Sequence, residues 1–227
     1  MLIQVRELLD KQTVAYCRKL LENSEWKDGR HTAGTQSEKV KNNEQLPETA
    51  LELAELRAII IKNIQKNGLF FSASLPKKIY PPLFNRYSGE TNSFGNHVDN
   101  SVRTFAKTGE NVRTDISCTV FLSETHEYEG GELMIEDAYG SKSVKLAAGD
   151  AILYPSTSLH RVEPVTKGAR IASFFWIESM IRSNDVRRIL FDMDMAILSL
   201  RQQFGDTEQA VVLTSCYHNL TRLFADT

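Results

Sequence analysis

The stretch DAILYPSTSLHRVEPVTKGARIASFFWIES, residues 150–179, decides the fold. Short runs rich in Ile, Leu, Val, Tyr, Phe and Trp are separated by Pro-Ser-Thr-Ser and by Lys167-Gly168. β-Branched and aromatic residues between such breakers read as brief strands joined by turns. The same pattern continues upstream. VRTDISCTVFLSE alternates over Ile116, Cys118, Val120 and Leu122, and GGELMIED and SKSVKL follow in the same style. A period of two therefore runs from Lys78 to Ile177. Strands this short and this numerous predict an antiparallel sandwich or barrel of the jelly-roll type.

On both sides the period changes to that of a helix. Val14, Cys17, Leu20 and Leu21 share one face of a predicted helix over Thr13 to Leu21. A second predicted helix starts near Pro47, runs through Leu51, Leu53, Leu56, Ile59, Ile60 and Ile64, and stops at Asn67-Gly68. The polar stretch between them, Asn23 to Gln45, reads as a long mobile loop and a candidate lid. Beyond the strands, Ser183-Asn184-Asp185 caps a helix with the stripe Val186, Ile189, Leu190, Met193, Ile197, Leu200 and Phe204. Gly205-Asp206 ends it, and Leu213, Tyr217, Leu220 and Phe224 mark another. The expected fold class is α+β. A double-stranded β-helix (jelly-roll) core over 78–178 follows an N-terminal helical support region, 1–77, and precedes a C-terminal helical hairpin, 179–227. That hairpin either packs on the barrel or makes a homodimer contact.

Composition narrows the function classes. A net charge of −2 over 227 residues offers no global attraction to nucleic acid or to an anionic membrane. No segment approaches the roughly 18 apolar residues needed to span a bilayer, and the N-terminus lacks the apolar run of a secretory signal. Cys17, Cys118 and Cys216 are scattered without a CxxC pair, so free thiols in a reducing, cytoplasmic compartment are expected.

The chemistry begins at RYSGETNSFGNHVDNS, residues 86–101. On a strand, His97 and Asp99 project from the same face and set an imidazole beside a carboxylate. His160 opens a later strand and adds a second imidazole. Two imidazoles and one carboxylate, leaving coordination positions open, form the ligand set of non-haem Fe(II) oxygenases. Arg170 lies ten residues further on, across the Lys167-Gly168 turn. If the flanking strands pair as a hairpin with His160 opposite Ala172, Arg170 falls on the face of His160. A guanidinium inside a barrel requires an anion, and there it would grip the far end of a short dicarboxylate that chelates the metal.

FNRYSGETNSFGNHVDNS, RTDISCTVFLSE, YEGGEL, AGDAILYPSTSLHRVEPVTKGAR and ASFFWIESMIRS together resemble the Fe(II)- and 2-oxoglutarate-dependent dioxygenases of the prolyl 4-hydroxylase superfamily. Within it the chain is most similar to the PKHD-type hydroxylases. The resemblance implies His97, Asp99 and His160 as iron ligands and as the catalytic centre. It implies Arg170 as the partner of the 2-oxoglutarate C5 carboxylate and Tyr87 as a further co-substrate contact. It also implies O2 as a reactant, succinate and CO2 as products, hydroxylation of a small-molecule or peptide C–H bond, and L-ascorbate as an accessory reductant. A cupin-like metal isomerase or hydrolase would share the ligands but would not need Arg170. A non-catalytic sensor of iron or 2-oxoglutarate would keep the site without turnover. Other residues read as structural. His126 belongs to a surface loop, and His31 and His218 have no companions. Phe174, Phe175 and Trp176 form core and pocket wall, and Gly130-Gly131 supplies positive φ for a hairpin.

Overall fold

The computed structural model of the protein describes residues 1–32, 36–137 and 140–227, with His31 and Thr32 described as backbone only. Two antiparallel sheets face each other. The larger runs in the order Ile3–Val5, Ala151–Pro155, Ile116–Phe121, Val165–Ser179, Leu83–Ser88, Glu44–Gln45, Lys27–Asp28. Tyr128–Gly130 and Pro76–Ile79 pair with the two ends of its long strand, Val165–Ser179. The smaller sheet runs Gly140–Val144, Leu133–Asp137, His160–Val162, Ser93–His97, Lys41–Asn42. This is the jelly-roll core that the strand pattern predicts, because each strand has one face to bury and the opposing sheet supplies half of the burial.

The strand Ile116–Phe121 shows how sequence sets the layers. It is buried on both faces. Ile116, Cys118 and Val120 point outward into an apolar cluster with the helices, whereas Ser117 and Thr119 line a cavity between the sheets. The helices Lys11–Glu22, Leu53–Lys66 and Gly68–Ser74 contribute Val14, Cys17, Leu21, Leu56, Ile60, Ile64 and Phe70 to that cluster. Each large apolar side chain sequestered this way is worth about 1.5–3 kcal/mol.

Several sequence expectations need correction. The second helix begins at Leu53, not near Pro47, and Leu51 is 93% exposed in the turns that precede it. Asn67 stops that helix and, with its side chain accepting from the Phe70 amide at 2.8 Å, caps the unanticipated helix Gly68–Ser74. Within the supposed mobile loop, Lys27–Asp28 and Glu44–Gln45 add strands to the larger sheet, and Lys41–Asn42 joins the smaller one. Residues 33–35 of that loop lie outside the described residues.

The supposed hairpin of His160 with Ala172 does not form. His160 pairs with His97 and Ile135 in the smaller sheet, while Ala172 pairs with Phe121 and Asn85 in the larger. The chain changes sheets at Glu163-Pro164. Gly130 and Gly131 have the expected positive φ of 72° and 70°, yet they also connect the two sheets and close no hairpin. A Cβ on Gly130 would lie 2.1 Å from the Pro164 carbonyl oxygen, and the Gly131 amide donates to that same oxygen at 3.2 Å. Both sheet crossings thus meet at one point, where only glycine lets the backbones approach.

At the C-terminus, Ser183 caps the helix Asn184–Phe204 and Thr207 caps Glu208–Phe224. Leu190, Ile197 and Tyr217 pack with Leu75 and Ile181, and the Ser72 hydroxyl donates to Asp194 at 2.5 Å. The hairpin is therefore fixed to the helix Gly68–Ser74. The predicted stripe divides, however, and leaves Ile189, Leu200 and Phe204 on the outside. Among the described residues, no helix is long and apolar enough to cross a membrane.

Candidate functional site

The smaller sheet brings the two histidines together as direct cross-strand partners, His97 on Ser93–His97 and His160 on His160–Val162. Their ring centroids are 4.2 Å apart. The chain turns just past His97, so Asp99 comes back over the pair with its Oδ2 3.7 Å from His160 Nε2. The ligand atoms of His97, Asp99 and His160 all lie within 4.8 Å of one another, a span one ion could bridge.

Each side chain is aimed by its surroundings. His97 Nδ1 bonds the Gly95 carbonyl at 2.8 Å, and His160 Nδ1 bonds the Ser158 carbonyl at 3.0 Å. A carbonyl can only accept, so Nδ1 carries the proton in both rings and the Nε2 lone pairs are left for a metal. Phe94 stacks on His97 with centroids 3.6 Å apart and locks its ring plane. Burial first, and then the neighbouring His160, push His97 down to about 4, which keeps it neutral and ligating at neutral pH. Asp99 Oδ2 accepts from Ser117 Oγ at 2.5 Å, and Ser117 is held by Ser156 Oγ at 2.8 Å. Removing that support with Ser117→Ala should weaken Fe(II) binding about 10–100-fold while secondary structure is kept. Competition of the variant against a metal-sensitive dye measures this, and an unchanged affinity would show Asp99 to be positioned without Ser117.

Arg170 reaches the same cavity from the opposite sheet. It is 1% exposed, pairs with no acidic side chain among the described residues, and its Nε lacks a hydrogen-bond partner. Tyr87, its cross-strand neighbour, and Phe121 put their rings 5.3 and 5.2 Å from its guanidinium. The Tyr128 hydroxyl is also buried and unbonded. Burial raises the Tyr87 and Tyr128 phenols, so both stay protonated donors. A permanent cation in a dry slot beside two phenols calls for an anion. The cavity between the sheets is lined by Arg170 and Tyr87 as well as by His97, Asp99 and His160. A metal-chelating dicarboxylate therefore fits the donor set.

All five sequence-derived residues converge on this cavity. Sequence reasoning missed Ser117, Tyr128, Lys41 and Arg103, each of which needs the sheet pairing to place it. His126 and His218 are exposed, apart from the cluster. The side chain of His31 lies outside the described residues. Phe174 and Trp176 form cavity wall and Phe175 joins the core, as expected.

Comparisons with known proteins agree with this chemistry. Residues 82–178 match the model of the 2OG-Fe(II) oxygenase superfamily, and residues 185–226 match that of the PKHD-type hydroxylase C-terminal domain. The chain is 56% identical to a PKHD-type hydroxylase of Saccharophagus degradans and 52% identical to one of a Polaromonas species, each over 100% of both chains. A Pseudomonas putida prolyl-4-hydroxylase shares the fold, with a TM-score of 0.51 and 20% identity over 78% of this chain and 92% of that one. The chain belongs to the PKHD-type hydroxylases, enzymes of the 2OG-Fe(II) oxygenase superfamily.

Proposed function

We propose that His97, Asp99 and His160 hold Fe(II) and that Arg170, assisted by Tyr87, seats 2-oxoglutarate in this hydroxylase. The observation that carries these assignments is the convergence, from opposite sheets, of a His-Asp-His cluster and a buried arginine without an acidic partner among the described residues. Iron and 2-oxoglutarate bound there would supply the oxidation, in which one atom of O2 enters a substrate C–H bond and the other enters succinate as CO2 leaves. The chain's own residues orient and shield. The Gly95 and Ser158 carbonyls fix both tautomers, and Ser117 fixes the Asp99 oxygen. Arg170 sets the depth of the co-substrate, with Phe121 and Tyr87 excluding water around it.

Incubation of the Fe(II)-loaded protein with 2-oxoglutarate and O2, without any other substrate, tests the reading. Slow succinate release that requires both iron and oxygen is expected. Iron binding without succinate would leave only a sensor of iron or oxoglutarate. L-Ascorbate is the proposed accessory reductant that returns oxidised iron to Fe(II). A cytoplasmic location suits an enzyme that needs reduced iron, and Cys17, Cys118 and Cys216 are free thiols. The substrate is a small molecule or a peptide. The division into 1–77, 78–178 and 179–227 assigns support, catalysis and an accessory hairpin to the three parts. Ile189, Leu200 and Phe204, exposed on that hairpin, support a homodimer through the C-terminal helices, which sedimentation at two protein concentrations would check.

A further inference from the structure

The inner face of the strand Val165–Ser179 carries Arg170, Ala172, Phe174 and Trp176 in order, so it runs from one end of the cavity to the other. At about 3.4 Å per residue, Trp176 lies about 20 Å along the strand from Arg170. Ser117, which holds Asp99, is the cross-strand partner of Trp176. The metal cluster therefore lies between Arg170 and the end of the strand that carries Trp176. Lys41 and Arg103 stand there. Lys41 pairs with Phe94 in the smaller sheet and is only 6% exposed. Its Nζ is 5.4 Å from the Phe94 ring, which stacks on His97, and 5.9 Å from the Phe174 ring. The Arg103 guanidinium sits 4.5 Å from the Trp176 ring. Among the described residues that line the cavity, Asp99 is the only acid.

We infer that the hydroxylated substrate carries an anionic group, a carboxylate or comparable oxyanion, bound between Lys41 and Arg103 while its apolar part lies against Phe174 and Trp176. This rests on Arg170 being the 2-oxoglutarate anchor, since otherwise these cations could serve the co-substrate. Two cations at this end of the cavity disfavour a cationic substrate and steer an anionic one toward the metal. Lys41 is desolvated, and burial followed by Arg103 pushes its ammonium down to about 7. An anion at this point stabilises both charges and adds a charge-assisted hydrogen bond to the one that Lys41 Nζ already donates to Gln45 Oε1 at 3.1 Å.

The test uses the full-length protein loaded anaerobically with Fe(II) and 2-oxoglutarate, and ligand-observed NMR with matched probes. Benzoate is compared with benzamide, and indole-3-acetate with indole-3-acetamide. Each acid should bind at least about tenfold tighter than its amide, a difference of about 1.4 kcal/mol. The visible absorption of the iron–oxoglutarate complex should persist throughout. The acid preference should be lost in Lys41→Met or in Arg103→Met, whichever of the two variants folds, and kept in Lys41→Arg. Equal binding, a preference for amides, no acid binding below about 10 mM, or acids that merely displace 2-oxoglutarate would each overturn the inference. Absence of the iron–oxoglutarate absorption before any probe is added would instead mark failure of the underlying assignment of Arg170.

Discussion

Asp99→Ala should fold normally, lose more than about a hundredfold in Fe(II) affinity and form no measurable succinate. Loss of a residue that only supports a ligand costs 10–100-fold in metal affinity, and Asp99 is the sole carboxylate in the cluster. Without it two imidazoles remain, which bind a hard divalent ion with no compensating charge. The side chain is small and sits at the cavity edge, so truncation removes no core packing. The one hydrogen bond it accepts from Ser117 is replaced by the Ser117–Ser156 pair already present. Circular dichroism should stay unchanged while an anaerobic iron titration loses its endpoint. Stoichiometric iron in the alanine variant would remove Asp99 from the ligand set.

Arg170→Lys should raise the 2-oxoglutarate KM about 10–100-fold with little change in iron affinity. A guanidinium meets a carboxylate through two parallel bonds, whereas an ammonium on a shorter reach offers a point charge. Hydrogen bonds to charged groups are worth about 1.5–3 kcal/mol, which converts to that range of KM. A companion variant, Arg170→Met, separates function from stability. The guanidinium is buried without an acidic partner, so removing it spares a desolvation cost. Arg170→Met should therefore lose 2-oxoglutarate binding while its ligand-free melting temperature stays level or rises. A sharp fall in Tm together with an unchanged KM would make Arg170 a structural residue.

Much of this was legible in the sequence because it depends on local order. His97 and Asp99 are two residues apart, and a strand ending between them sets both on one site whatever the sheet does elsewhere. The change of period at Lys78 and near Ser183 located the strand-rich core, since alternation and a 3.6-residue stripe reflect which faces each element must bury. Ser183, Asn184 and Asp185 placed the start of the last long helix because capping is a local hydrogen bond.

The hidden features are non-local. Arg170 looked like a hairpin neighbour of His160, yet it arrives from the opposing sheet through the crossing at Pro164, which approaches Gly130. Arg170 and His160 still line one cavity, because either route ends there. Tyr128 reaches Arg170 only because its strand pairs at Gly168, a register no local pattern specifies. Lys41 sits in a polar stretch that reads as solvated loop, and only the two-residue strand Lys41–Asn42 carries it indoors. Leu51 failed in the other direction, being apolar in a turn with nothing to pack on.

The most direct measurement is an anaerobic titration of the Fe(II)-reconstituted protein with 2-oxoglutarate, followed by visible absorbance. A weak charge-transfer band is expected that saturates at one equivalent of 2-oxoglutarate, disappears with Asp99→Ala, and needs much higher co-substrate in Arg170→Lys. Iron demonstrably bound to the wild-type protein with no such band at any 2-oxoglutarate concentration would contradict it.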